Sequence, residues 1–94
     1  MSQIQSISKN NTSVGTVGGM TCVTLFRTVV VRFNQQKVIL NSGGWKTITT
    51  KARMNQVSNQ FGLGFQVWQE DSKWFVRTPG GEVVRFEDGM EMAR

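Results

Sequence analysis

A chain of 94 residues, 38% of them hydrophobic and with three Trp and six Phe among them, can bury one core but not two. It has no His, no Tyr and a single Cys. It therefore lacks the commonest general base, the phenolic acid, an internal disulfide and the ordinary zinc ligand sets, and we expect neither catalysis nor any metal or other cofactor. The net charge of +5 is uneven: residues 1–69 hold seven Lys or Arg and no acid, whereas all six Asp and Glu lie in residues 70–94 beside four bases. Such an asymmetry suits a polyanionic partner or an acidic patch on another protein, unless the two parts interleave in space.

Residues 1–20 are Ser, Asn, Thr and Gly with scattered Ile and Val, and no period persists. This predicts a flexible N-terminal arm, whose tip could pair as an edge strand, ahead of one domain over 21–94. The arm has no continuous apolar core of the secretory kind and no segment reaches bilayer-spanning length, so the expected location is cytoplasmic with no membrane partner.

Residues 21–33 are dense in β-branched and aromatic side chains. Val23, Leu25, Val29, Val31 and Phe33 share one face, interrupted by Arg27, which predicts a strand. Cys22, inside this run, reads as a buried inert thiol. Asn34-Gln35-Gln36 reads as a turn, residues 37–41 as the returning strand, and Ser42-Gly43-Gly44 as a break.

From Trp45 the period changes. Met54, Val57 and Phe61 form one helical stripe, predicting a helix over about residues 50–61, N-capped by Thr49 or Thr50 and stopped by Gly62. The opposite face carries Ala52, Asn55, Gln56, Asn59 and Gln60. Asn and Gln can read adenine edges, but a solvated uncharged face is the plainer account.

After Gly64 the chain reads as strands again, over 65–70, 74–78 and 82–86, separated by Asp71-Ser72-Lys73 and Pro79-Gly80-Gly81. Asp88-Gly89 turns into residues 90–94, a short edge or a frayed end. Trp68 and Phe75 sit on paired strands. Core packing is the preferred account of them, and an exposed base-stacking platform the alternative. The order β-β-α-β-β-β predicts the α+β class, an antiparallel sheet with one helix packed on one face. So thin a core leaves room for a homo-oligomer to supply further burial.

The expected site is the helix start. A helix N-terminus presents free N–H groups and partial positive charge, where acids usually sit. Here Lys46, Lys51 and Arg53 flank it, with the hydroxyls of Thr47, Thr49 and Thr50, and Trp45 stands where a base could stack. A bound phosphate would reverse the penalty on those cations. The plainer account is a Thr-capped helix with solvated cations and a Trp closing the core.

The stretch Gly43-Gly44-Trp45-Lys46-Thr47, continued by Thr49-Thr50-Lys51 and Arg53-Met54-Asn55, resembles small accessory proteins encoded by tailed bacteriophages. In these too an aromatic β-meander and a tail like Phe86-Glu87-Asp88-Gly89 follow, so the likeness covers about residues 27–90. The resemblance implies a viral accessory role in the host cytoplasm: binding nucleic acid, or inhibiting a host enzyme or defence system. From the residues, the leading expectation is a non-enzymatic module for nucleic acid or another phosphate-rich partner. The alternative is an inhibitor that binds an acidic host protein.

Overall fold

The β-branched run over 21–33 does not stay one strand; it folds back on itself. In the computed structural model, which describes residues 12–44 and 46–94, the first strands are β1 (Thr12–Val17), β2 (Met20–Leu25), β3 (Thr28–Phe33) and β4 (Lys37–Leu40). Leu25 pairs with Thr28, so Phe26-Arg27 is a two-residue turn. It offers no Gly, Asn or Asp to announce itself, and Phe26 takes a φ of 58°. Beside this turn β3 carries an extra residue, Val30, which puts Val30 and Val31 both in the core and leaves Val29 partly exposed. The even-spaced face expected through Val29 is broken for that reason.

The N-terminal arm also needs correcting within the described residues. Thr12–Val17 is a strand, antiparallel to β2, joined through Gly18-Gly19 with φ of 60° and 81° at both turn positions. Positive φ at two central residues is the hairpin turn that matches strand twist, and only glycine adopts it freely. Val14, opposite Val23, packs against the core. Residues 1–11 of the expected arm lie outside the described residues.

Helix α1 (Ile48–Phe61) begins two residues before its expected start, because Thr47 is the N-cap and not Thr49 or Thr50. Thr47 is extended, and its hydroxyl accepts the Thr50 N–H at 3.2 Å. Gly62, left-handed at φ 65°, ends the helix as expected. Met54 and Val57 of the stripe are fully buried, while Phe61 is only half-buried, its ring 5.0 Å from that of Phe33.

The remaining strands are β5 (Gln66–Glu70), β6 (Lys73–Arg77), β7 (Val83–Arg85) and β8 (Met90–Ala93). They do not extend one sheet. The described residues form a five-stranded sheet, β1-β2-β3-β4-β8, and a three-stranded sheet, β5-β6-β7, all antiparallel, with α1 packed on β2 and β3 and alongside β5. The reason for the split lies at the β5 edge. Asn55 donates to the Val67 carbonyl and accepts its N–H, both at 2.8 Å. Ser58 likewise donates to the Phe65 carbonyl at 2.7 Å and accepts its N–H at 3.0 Å. Two helix side chains thus satisfy the backbone groups that a neighbouring strand would otherwise pair. One continuous core fills the space between: Val23, Val31 and Leu40 from the large sheet, Met54 from α1, Val76 and Trp74 from the small one.

The loop before α1 is held from the far end of the chain. Asp88 accepts from the Ser42 N–H at 2.8 Å and from its hydroxyl at 2.7 Å, and Ser42 is buried. Gly43 has φ 62°, and a Cβ there would lie 2.5 Å from the Thr28 hydroxyl oxygen, so no side chain fits. Asp88→Ala is expected to cost about 1.5–3 kcal/mol, the range for hydrogen bonds to a charged acceptor. A drop in the denaturant midpoint at unchanged slope would show it.

Candidate functional site

The residues expected at the helix start do not converge on one spot. Thr47 and Thr50 spend their hydroxyls on each other at 3.1 Å, and Thr50 is buried. Thr49 is exposed. Lys46 lies over the Phe86 ring at 5.9 Å and Lys51 over the Trp74 ring at 5.5 Å. Trp74 and Phe86 meet edge to face at 5.2 Å, so the two lysines share one buried aromatic pair. Lys51 also donates to Gln69 at 3.0 Å. Arg53 turns the other way, its Nε donating to Thr12 at 3.3 Å. Trp45 lies outside the described residues. On the helix face expected to be solvated, Ala52 and Asn59 are exposed, but Asn55 is committed to β5.

A different surface gathers aromatic rings and cations. The register of the small sheet aligns Trp68, Phe75 and Arg85 in one row across its three strands. Strand alternation turns this row away from Val67, Val76 and the core, and Trp68 and Phe75 are half-buried rather than enclosed. Core packing, the preferred expectation for the two rings, therefore does not describe them. Their centroids are 6.1 Å apart with planes inclined by 28°, and the Arg85 guanidinium lies 5.9 Å over Phe75. The flanking row is Gln66, Arg77 and Val83, with Arg77 donating to Gln66 at 3.2 Å. On the other side stand Glu70 and Lys73, a register pair. Glu70 accepts the Trp68 indole N–H at 2.8 Å and so fixes the ring. Period-two alternation in residues 66–70 and 73–77 already put both rings on one face; it could not say which face was left open.

A second surface feature is a cavity of about 350 Å³ beside the Phe26 turn, with a largely apolar surface and with Leu25, Arg27, Val30 and Thr50 among its lining residues. Phe26 is 67% exposed, and Ile48, next to the cap residue, is 80% exposed. Ion pairing is sparse. Among the described residues one salt bridge forms, Lys37 with Glu91 at 3.4 Å, between side chains that are themselves largely exposed. Also among the described residues, no cluster of His, Cys, Asp or Glu is arranged to hold a metal ion, and no helix is long and apolar enough to cross a membrane.

A family model described as "Kyanoviridae Gp96 protein" matches residues 1–93, including the N-terminal segment that the phage resemblance left out. No curated protein and no solved structure matches the chain.

Proposed function

The chain belongs to the Kyanoviridae Gp96 family, and from that premise we propose that this small phage accessory protein binds nucleic acid or another phosphate-rich partner through its basic surface. The observation that carries the reading is the state of its cations. Among the described residues three of them lie over aromatic rings, and one, Lys37, is salt-bridged to a carboxylate. A cation without a salt-bridge partner keeps its charge available to phosphate, and a polyanion gains by releasing its own counterions. The reading assigns no catalysis, in keeping with a chain that has no His or Tyr. It sets the protein to work in the host cytoplasm, where viral and host nucleic acids are both within reach.

Titrating labelled DNA and RNA oligonucleotides at several salt concentrations tests this. Affinity should fall steeply with salt, by about 0.7–0.9 in the log–log slope for each phosphate contacted. A flat salt response, or no binding, removes the reading.

One observation favours a second reading, inhibition of a host enzyme or defence system through a protein interface. Phe26 holds a left-handed backbone that costs an L-residue about 1–2 kcal/mol, while its ring stays largely in solvent beside an apolar cavity. Strain at an exposed aromatic is characteristic of a binding position. Phe26→Gly is expected to leave stability unchanged or raise it by up to about 1 kcal/mol, the relieved strain being partly offset by glycine's greater freedom when unfolded. A thermal melt reads this directly. A clear loss of stability would make Phe26 a packing residue and remove the support for the second reading.

A further inference from the structure

We propose that the outer face of the three-stranded sheet binds single-stranded nucleic acid, with bases stacked on Trp68 and Phe75 and the backbone phosphates taken by Arg85 and Arg77. The proposal rests on the nucleic-acid reading above and narrows it to one strandedness and one face.

The argument begins with what a soluble domain does with large rings. Burying Trp or Phe contributes more than burying any aliphatic, and a chain with so small a core has reason to place both inside. Here two are set side by side, each half-buried, on the face turned away from Val67, Val76 and the core. An open sheet carrying neighbouring aromatics offers π-faces to splayed bases, and every base can use them. A duplex cannot, because its base faces are stacked inside.

The cations agree with this division of labour. Arg85 already lies over Phe75, so a base reaching that ring meets the guanidinium first and can stack on its plane. Arg77 stands one row further along, beside Gln66 and Val83. Within the three strands the charged residues are Arg77, Arg85 and Lys73, which are positive, and Glu70, which is negative. Glu70 sits at the Lys73 end and holds the indole N–H of Trp68. The strand's phosphates therefore favour the Arg85–Arg77 side, and Glu70 orients the ring while repelling the backbone at its own end. The alternative route to nucleic acid, α1 entering a major groove, is weakened because Asn55 is bonded to β5 and Arg53 to Thr12.

The test uses the full chain and fluorescence anisotropy with a labelled mixed-sequence 12-nucleotide DNA, the same sequence as a duplex, and heparin as a polyanion without bases. The wild type should prefer the single strand to the duplex by at least about 10-fold. Trp68→Leu and Phe75→Leu should each weaken single-strand binding by roughly 10-fold or more, with the salt slope and heparin affinity unchanged, since stacking releases no counterions. Arg77→Gln with Arg85→Gln, both at exposed positions, should instead reduce the salt slope by about 0.7 for each phosphate no longer held. Glu70→Gln keeps an acceptor for the indole and should tighten binding. Equal affinity for duplex and single strand overturns the proposal. So does salt-dependent binding indifferent to both ring substitutions and to the Arg pair, and in either case the broader polyanion reading stands. Absence of salt-dependent binding to any of the three probes removes both.

Discussion

Ser58→Ala is expected to lower the unfolding free energy by about 2–4 kcal/mol, an unusually large effect for deleting one hydroxyl from a helix. Alanine is the better helix former, so local propensity predicts a small gain. The loss comes from the neighbour. Phe65 is buried, and both its N–H and its carbonyl are satisfied by the Ser58 hydroxyl. Without it a donor and an acceptor are stranded, at about 1–3 kcal/mol apiece, partly recovered if water enters. Asn59→Ala, one residue on and exposed, should lie within about 0.5 kcal/mol of neutral. Denaturant titration of the two variants separates them. Equal effects would mean that the β5 edge is satisfied without the helix.

Met54→Ala is expected to cost about 2–5 kcal/mol, the range for removing a fully buried Met side chain. Met54 belongs to the core that α1 shares with both sheets and has no exposed surface, so little can collapse into the gap. Phe61→Ala should cost less than its size suggests, because Phe61 keeps solvent on one side and its main aromatic contact is Phe33. Met54→Leu, which nearly conserves volume, should cost under about 1.5 kcal/mol. Chemical denaturation ranks the three. Were Phe61→Ala the worst, the centre of the core would lie at the C-terminal end of the helix instead.

What the sequence disclosed and what it withheld divide along physical lines. Local signals read true: the Gly62 stop, the stripe through Met54 and Val57, and the turn at Asp71-Ser72 all depend on neighbours within a few residues. The Gly18-Gly19 hairpin was present in the letters too, between Val17 and Met20, but the polar residues around it masked the strand. The turn at Phe26-Arg27 had no local signature, since a bulky residue with positive φ is tolerated only through its tertiary setting. Nor could any periodicity show that Asn55 and Ser58 would act as a strand's neighbour, which is why one sheet was expected where two form. The candidate site follows the same rule. The charges at the helix start were visible, yet their directions were set by Phe86, Trp74 and Thr12, all remote in sequence. Trp68 and Phe75 were legible as a pair; their exposure was not.

The place of β8 bears on the order in which the molecule assembles. Strands β1 to β4 follow one another as hairpins, and each pairing closes a short loop. By contrast β8 reaches β4 only across the helix and the whole small sheet, with Leu40 opposite Met90. The entropy of closing that loop has to be met before any of its contacts form, so the meander comes early and β8 docks late. Amide protons of Met90–Ala93 should accordingly exchange sooner than those of β2 and β3. During synthesis the same feature imposes a delay: until residues 90–93 have left the ribosome, β4 is an unpaired edge, with Val38 and Leu40 lacking the cover of Met92 and Met90.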